Sequence, residues 1–306
     1  MKLNVINPLK YDYLLTHDSL KLRYAYTENQ GKPLNNLILL LHGRAEFIEK
    51  YKDIVKYLNN KGFDVVTFDW RGQGLSQRET ANRQKGYVRD FNDYLLDLKT
   101  FFDQIIQPRG QTLYMLSHSM GGHIGLRFLH DYPNIVKRAV FVSPMFNINS
   151  FLLSQLLTRN IARTICASGF SENFVFSKKR GNQNHINKKK NMLSHDPAQI
   201  NIQAKEIKKN PDLALGGVTW GWLNAAYNSI DLLLEKKYAH TINTPVLIVN
   251  AQEDKLVKKS TQKKIHKRLP DSSFISIKNA YHEILFETQD IRNTFWDCFD
   301  EFINPS

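Results

Sequence analysis

The chain has 306 residues, of which 42% are hydrophobic and 23% are charged, so its composition is that of a folded globular protein and excludes global disorder. Two cysteines exclude a disulfide framework, and no run of about 18 apolar residues is present to span a membrane. The net charge of +13 favours an anionic partner, with a solvated basic surface as the alternative. The N-terminal segment lacks the apolar stretch of a secretory signal, so we expect a cytoplasmic protein.

The first half of the chain alternates short apolar runs with longer segments of helical periodicity. The apolar runs predict buried strands at Asn36–Leu41, Asp64–Phe68, 112–116 and 139–142. The periodic segments predict helices at 47–60, 91–106 and 120–130. Repeated strand–helix units of this kind predict a mostly parallel sheet with helices on both faces.

The pattern changes at residues 147–218, which contain no convincing strand. An amphipathic helix is predicted at 151–165 and a polar, basic loop at 178–190. The segment 147–218 carries 11 Lys and Arg residues against 4 Asp and Glu residues. Strand–helix alternation then resumes, with helices predicted at 219–234, 259–269 and 291–303 and strands at 246–250 and 274–277. We therefore predict one α/β domain, formed by residues 1–146 and 219–306, that is interrupted after its fourth predicted strand by a basic helical insertion.

Ser119 lies in the segment SHSMG, directly between a predicted strand and a predicted helix. This is the position of a nucleophile elbow, usually written G-x-S-x-G, in which a sharp turn exposes the serine hydroxyl above the edge of the sheet. Small residues two positions before and after the serine let the strand and the helix approach closely, and here they are Ser117 and Gly121. The sequence therefore predicts Ser119 as a nucleophile, with an ordinary small-residue turn as the alternative.

A serine nucleophile needs a base, and the base needs an acid that orients it. On this type of fold the chain order is Ser, then Asp or Glu, then His. Asp254 and His282 follow the last two predicted strands, at the end of the sheet where open α/β folds place their sites. We predict that His282 accepts the proton of Ser119 and that Asp254 orients the imidazole. Glu253 and Glu283 remain alternatives for the acid.

An oxyanion hole is predicted from the turn that follows the first predicted strand. The backbone N–H of Arg44 in the segment HGR and the backbone N–H of Met120, directly after the nucleophile, can pair to bind a developing oxyanion. His42 and His118 have the wrong chain order for a general base, so we predict structural roles for them.

No cofactor or metal site is predicted. The segment FDWRGQGLS at 68–76 lacks the third glycine and the immediate helix of a dinucleotide fingerprint, so it is interpreted as a tight structural loop. The chain shows no zinc-ligand spacing, P-loop or EF-hand, and His185 and His195 lie far from any cysteine pair and are expected to face solvent.

Four segments together resemble a known family: HGRAEF, FDWRGQGLSQR, SHSMGG and AYHEILFE. They are similar to the serine hydrolases of the α/β-hydrolase fold, and among these to bacterial lysophospholipases of the L-two type and to monoacylglycerol lipases. The resemblance extends over about residues 37–303, and the segments LGGVTWGW, AYHEILFE and FNDY favour the lysophospholipase branch over monoacylglycerol lipases. It implies a catalytic triad of Ser119, His282 and Asp254 and a helical cap at about 147–218.

The resemblance implies hydrolysis of the acyl ester of a lysophospholipid through an acyl-enzyme, without metal or cofactor. A monoacylglycerol lipase or a general carboxylesterase is the alternative on the same fold, whereas epoxide hydrolysis and dehalogenation use a carboxylate where this chain has Ser119. A basic binder of nucleic acid or of an anionic surface is the non-enzymatic alternative, but no nucleic-acid partner is expected because the basic insertion lacks interleaved aromatic residues and a binding motif. Peripheral contact with the inner membrane is expected through the stretch 178–190 or the helix at 151–165.

Overall fold

The computed structural model describes residues 8–28, 35–149, 154–175 and 192–304. The basic loop predicted at 178–190, with His185, and the start of the helix predicted at 151–165 lie outside the described residues. Eight strands form one sheet in the order β1-β2-β4-β3-β5-β6-β7-β8. In chain order these are Lys10–Leu15, Lys21–Thr27, Asn36–Leu41, Asp64–Phe68, Thr112–His118, Arg138–Val142, Val246–Ala251 and Ser272–Ile277.

The helices alternate with the strands from β3 onward. They are, as α1 to α8, Lys52–Asn60, Phe91–Phe101, Met120–Asp131, Gln155–Ala167, Pro197–Lys209, Trp220–Leu233, Lys259–His266 and Gln289–Ile303. The helix predicted at 47–60 is a short 3-10 turn, Ile48–Tyr51, followed by α1. The strands from β4 to β8 pair in parallel, whereas β2 pairs antiparallel with both β1 and β4. The predicted mostly parallel sheet flanked by helices is confirmed.

The central strands bury side chains on both faces. In β3, Leu37, Leu39 and Leu41 pack into one core cluster, and Ile38 and Leu40 pack into a second cluster on the opposite face. The first cluster lies under α2, α3 and α6, and the second lies under α1 and α8. Strands that are buried on both faces have nearly continuous apolar sequences. This is why the apolar runs identified the central strands correctly.

The sequence analysis missed β1 and β2. Strand β1 lies at the edge of the sheet, and five of its six residues are exposed. Its sequence KYDYLL therefore mixes polar and apolar residues and contains no continuous apolar run. Antiparallel edge strands of this kind have one solvated face, so a search for fully buried strands does not detect them.

The insertion begins after β6, which is the fourth strand that the sequence predicted. Its described part contains α4 and α5, and no residue of it forms part of a named strand. Helix α4 packs against α6, and α5 packs against the 3-10 turn Ile48–Tyr51. Within the described ranges, no helix combines the length and the apolar character needed to cross a bilayer.

Arg71 connects the loop after β4 with the β1–β2 turn and with α2. Its guanidinium is 1% exposed and donates to both carboxylate oxygens of Asp97 at 2.6 Å and to Asp18 at 3.1 Å. Glu79 lies 3.7 Å from the same guanidinium. Burial raises the pKa of Glu79 to about 7, Arg71 opposes the shift, and the carboxylates of Asp93, Asp97 and Asp18 add to it. The carboxylates around Arg71 therefore outnumber its single positive charge, which favours the protonated form of Glu79.

Stability is expected to fall as the pH rises through the titration of Glu79. Its pKa is about 7 in the folded protein against an ordinary value of 4.5, so the folded state binds more protons than the unfolded state between these values. Glu79→Gln is expected to flatten this part of the pH profile and to raise the free energy of unfolding at pH 8 by about 1–3 kcal/mol. Urea unfolding at several pH values measures both effects.

The exposed Glu235→Gln serves as the matched control, and its profile is expected to follow that of the unaltered protein. A Glu79→Gln profile that also runs parallel to the unaltered one contradicts the assignment.

Candidate active site

Ser119 occupies the turn between β5 and α3 with φ 51° and ψ −114°. A residue other than glycine is strained in this backbone region. The turn is held by three backbone hydrogen bonds: the N–H of Ser119 donates to Val142, and its carbonyl accepts from His123 and Met145, over 2.9–3.2 Å. The neighbouring strand end and the first turn of α3 therefore stabilise the strained position.

The two small residues of the elbow have different roles. A Cβ atom on Gly121 would lie 2.5 Å from the carbonyl oxygen of Leu41 and 2.7 Å from that of His42, so only glycine lets α3 start directly against the end of β3. Ser117 stands where the motif usually has glycine. It is fully buried, and its hydroxyl donates to the carbonyl of Val140 at 3.4 Å. The elbow thus accommodates a serine at this position.

Ser119, His282 and Asp254 form one chain of hydrogen bonds. The Ser119 hydroxyl lies 2.9 Å from Nε2 of His282, and Nδ1 of His282 lies 2.7 Å from Oδ2 of Asp254. Ser119 is 8% exposed, His282 4% and Asp254 5%, so these hydrogen bonds are shielded from water and the serine is the most accessible of the three residues. They follow β5, β8 and β7, whose carboxyl ends meet at one edge of the parallel sheet. The structure thus brings together all three residues that the sequence nominated.

Asp254 is the carboxylate that faces the imidazole. Its Oδ1 accepts from the backbone amides of Leu256 and Val257, which orients Oδ2 toward His282. Burial opposes ionisation of Asp254, but the neighbouring His282 and the two amides outweigh burial and hold its pKa below the usual range. Neither alternative acid takes this place: Glu253 is exposed, and Glu283 pairs with Lys50 at 2.7 Å.

The two backbone amides predicted to form the oxyanion hole lie at the start of α3 and in the turn after β3. Met120 is the first residue of α3, so its N–H has no partner within the helix. Arg44 follows the end of β3, against which Gly121 packs. Neither amide donates to another described residue. Two free N–H groups beside the nucleophile are what a tetrahedral oxyanion needs.

A buried cluster of charges connects these loops, and the sequence analysis did not identify it. Glu46 accepts from the backbone N–H of Gly43 in the oxyanion turn, from the hydroxyl of Tyr51 and from Nζ of Lys50. Lys50 is 2% exposed and lies 2.7 Å from both Glu46 and Glu283. Burial opposes every charge here, but the opposite charges outweigh it, so the pKa of Glu46 lies well below its usual value and that of Lys50 above it. The spacing of four between Glu46 and Lys50 was the available sequence signal.

His118 extends this cluster to His282. Its Nδ1 lies 3.1 Å from Oε2 of Glu46, and its Nε2 lies 3.3 Å from the carbonyl oxygen of His282. Both partners are acceptors, so the ring satisfies both of them only as an imidazolium. Burial lowers the pKa of His118, but Glu46 outweighs burial and raises it. The predicted structural role of His118 is confirmed by these contacts.

Glu287 attaches the part of the chain before α5 to the loop of His282. Its fully buried carboxylate accepts from the backbone N–H of Tyr281 at 2.8 Å and from the backbone N–H and Nδ1 of His195 at 2.9 Å and 3.0 Å. The ring of His195 also stacks on Tyr281 at 3.8 Å. The His195 side chain is 38% exposed, so the expectation that it faces solvent is confirmed, and its Nδ1 also contacts Glu287, 92 residues away along the chain.

The loop that begins at Asp69 is a structural loop, as the sequence analysis interpreted it. Asp69 is fully buried and accepts from the backbone amides of Ile48 and Leu75 and from Arg23, over 2.9–3.1 Å. It thereby fixes the position of the 3-10 turn that leads to Lys50.

Among the described residues, one group of potential ligands could meet around a metal ion. It consists of His17, Asp18 and Asp97, whose ligand atoms lie within 4.8 Å of one another. Both carboxylates already bind the guanidinium of Arg71, so the cluster carries its own cation. We assign no metal site to it.

Glu46→Gln is expected to lower the free energy of unfolding by about 3 kcal/mol, because it leaves Lys50 and His118 buried with one carboxylate fewer. Urea unfolding at pH 7 measures the loss. Glu172→Gln breaks a surface ion pair to Lys85 and is the control, with an expected loss of at most about 1 kcal/mol. Equal losses in the two variants would show that the Glu46 cluster contributes no more than a surface pair.

The chain matches the family described as "Serine aminopeptidase, S33" over residues 32–289. It is 30% identical over 294 residues to "Probable lysophospholipase L2" of Haemophilus influenzae, covering 95% of this chain and 91% of that protein. It is 29% identical over 286 residues to lysophospholipase L2 of Escherichia coli, covering 88% and 81%. A crystal structure of a soluble variant of monoglyceride lipase from Saccharomyces cerevisiae superimposes with a TM-score of 0.77 at 20% identity, covering 98% of this chain and 97% of that one.

The likeness to the lipase structure shows the fold, and the family match takes in Ser119, Asp254 and His282 and most of the chain. These findings confirm the resemblance that the sequence motifs indicated. The chain belongs to the serine aminopeptidase S33 family of α/β-hydrolases.

Proposed function

We propose that the protein is a lysophospholipase, which hydrolyses the acyl ester of a lysophospholipid to a free fatty acid and a glycerophospho head group. The observation that carries the proposal is the buried chain from Ser119 through His282 to Asp254, with contacts of 2.9 Å and 2.7 Å. Relatives named lysophospholipase L2, aligned over most of both chains, support the substrate class.

The proposed reaction proceeds in two steps through an acyl-enzyme. The Ser119 hydroxyl attacks the ester carbonyl while Nε2 of His282 accepts its proton, and Asp254 stabilises the resulting imidazolium. The amides of Arg44 and Met120 bind the tetrahedral oxyanion. His282 then gives the proton to the departing glycerol oxygen. A water molecule repeats the sequence on the acyl-enzyme and releases the fatty acid.

The same proposal assigns residues 147–218 to a cap over the nucleophile. Helix α4 packs on α6, and an isolated bridge joins Phe174 to Thr219 at the start of α6. Between α4 and α5, His195 of the same segment contacts Glu287, close to His282. Two parts of the segment thus lie against elements that carry or support the site.

Ser119→Ala is expected to lower kcat for fatty-acid release from 1-palmitoyl-lysophosphatidylcholine by at least about ten-thousandfold, because the nucleophile is lost. The matched control is Ser143→Ala. Ser143 is fully buried, has a left-handed φ of 44° and follows β6, and its hydroxyl has no partner among the described residues. Its substitution is expected to leave kcat close to that of the unaltered protein. Substantial activity in Ser119→Ala would show that the nucleophile is another residue.

A monoacylglycerol lipase is the second candidate, favoured by the structural likeness to a monoglyceride lipase. A comparison of kcat/KM for lysophosphatidylcholine and for monoacylglycerol of the same acyl chain separates the two candidates. The proposed function requires the higher value for the lysophospholipid. Cleavage of monoacylglycerol alone would move the protein to the lipase branch and leave the proposed triad in place.

We further propose that α4 brings the enzyme to a lipid surface. Leu156 and Leu157 are 70% and 47% exposed on this helix, and Phe170, just beyond it, is 57% exposed. Arg163 is exposed on the same helix and adds positive charge. An apolar group of side chains beside a cation is typical of helices that lie in a membrane interface.

The double variant Leu156→Ser, Leu157→Ser is expected to bind vesicles of phosphatidylcholine and phosphatidylglycerol at less than about half the level of the unaltered protein, because it loses buried apolar area. Sedimentation with the vesicles measures binding, and high salt is expected to weaken the binding of the unaltered protein. Leu96→Ser, which removes a leucine that is 40% exposed on α2, is the control. Equal binding by the double variant, or indifference to salt and to anionic lipid, contradicts the membrane contact.

A further inference from the structure

Arg44 is a half-buried arginine beside the nucleophile that no carboxylate neutralises. Its Nη2 donates to the carbonyl oxygen of Gly216 at 2.9 Å, which is its one hydrogen bond to a described residue. Its Nε is buried and has no partner, and no described carboxylate lies within ion-pair distance. Burial lowers the pKa of Arg44 to about 10, so it remains a cation at neutral pH.

The other buried cations of the chain have more acceptors for their N–H groups. Arg127 also lacks a carboxylate partner among the described residues, but its Nη1 and Nη2 donate to the hydroxyl of Ser229 at 2.9 Å and to Oδ1 of Asn92 at 2.5 Å. Arg23, Lys50 and Arg71 each lie against two or more carboxylates. Arg78 lacks a carboxylate hydrogen bond, as Arg44 does, but its Nε, Nη1 and Nη2 all donate to backbone carbonyls at 3.1–3.2 Å. Arg78 therefore has the hydrogen bonds expected of a structural arginine. Arg44 keeps its charge and two of its nitrogens free.

The surroundings of Arg44 supply no anion. The guanidinium lies 5.3 Å from the centre of the Trp222 ring. Burial raises the pKa of the neighbouring Tyr94 above its ordinary range, so its hydroxyl stays neutral and cannot balance the charge. A Cβ atom on Gly86 would lie 2.3 Å from Nη2, so the absence of a side chain there makes room for the guanidinium.

The side chain of Arg44 begins next to the proposed oxyanion hole, because the backbone amide of Arg44 is one of the two proposed oxyanion donors. Gln73 connects the turn of Arg44 to the elbow: its Oε1 accepts from the amide of Ala45 at 2.7 Å, and its Nε2 lies 3.7 Å from Sδ of Met120. A group that binds Arg44 is therefore close to an ester held at Ser119.

We propose that the side chain of Arg44 binds the phosphodiester of a lysophospholipid head group. The guanidinium offers free N–H donors in a planar arrangement that matches two phosphate oxygens. In a lysophospholipid, the glycerol backbone alone separates the phosphate from the ester, which fits one side chain beginning at the oxyanion hole. A monoacylglycerol has no anion to place there. The inference rests on the proposed lysophospholipase function and adds the residue that selects for the head group.

Substitution of Arg44 is expected to change the preference between substrates. In Arg44→Gln, the ratio of kcat/KM for lysophosphatidylcholine to kcat/KM for monoacylglycerol of the same acyl chain is expected to fall about tenfold or more, mainly through KM for the lysophospholipid. Arg44→Lys keeps the charge but not the planar fork, and an intermediate ratio is expected. Arg78→Gln is the matched control, with an unchanged ratio. A ratio that Arg44→Gln leaves unchanged, or that Arg78→Gln shifts as far, overturns the proposal.

A second measurement tests binding without a phospholipid substrate. Hydrolysis of a neutral p-nitrophenyl ester is followed in the presence of sn-glycero-3-phosphocholine, inorganic phosphate or glycerol, and a competitive inhibition constant is measured for each. The proposal expects the inhibition constant of glycerophosphocholine to rise about tenfold in Arg44→Gln, while that of glycerol does not change. Inhibition by phosphate as strong as that by glycerophosphocholine would show a site for free phosphate and overturn the head-group assignment.

The two proposals fail in different ways. An unaltered protein that cleaves monoacylglycerol but not lysophospholipid refutes the proposed function. An unaltered protein that cleaves lysophospholipid, with a substrate ratio and a glycerophosphocholine inhibition constant that Arg44→Gln does not alter, refutes the role of Arg44 alone.

Discussion

The site depends on one buried carboxylate. Glu46 is 4% exposed and binds the turn before Arg44, the lysine that also holds Glu283, and the histidine that precedes the nucleophile. A charge at such depth is tolerated only when opposite charges and hydrogen bonds surround it. Glu46 therefore ties together three loops that arise from distant parts of the chain. The turn at Gly43, the elbow at Ser119 and the loop of His282 keep their relative positions because they share this cluster.

The parallel sheet supplies the second constraint. Strands β5, β7 and β8 run in the same direction, so the residues that follow them reach one edge. Ser119 is held there in a strained backbone conformation, and hydrogen bonds from the next strand end and from α3 stabilise it. Rigid elements on both sides of the sheet, built on two apolar clusters, keep the nucleophile and base within hydrogen-bond distance. Catalytic geometry of this kind requires such support because small displacements are costly to rate.

The cations of the molecule differ in whether a carboxylate neutralises them. The structural cations Arg23, Lys50 and Arg71 are balanced by carboxylates, whereas Arg44, beside the oxyanion amides, is not. An unbalanced buried cation destabilises the protein unless a ligand supplies the missing anion. The segment 147–218 carries exposed apolar side chains on α4 and contacts the loop of His282 through His195 and Glu287.

The sequence by itself determined the central strands, the flanking helices and the order Ser119, Asp254, His282. Strands buried on both faces must be continuously apolar, and a nucleophile elbow needs small residues at fixed spacing, so both leave local patterns. Only the tertiary structure decided the edge strand β1 and its neighbour β2, the choice of Asp254 over Glu253 and Glu283, the contact of His195 with Glu287, and the isolation of Arg44 from carboxylates. Each of these depends on partners that are brought together by folding, and a side chain's own sequence neighbours do not specify which distant group will neutralise it, orient it or leave it free.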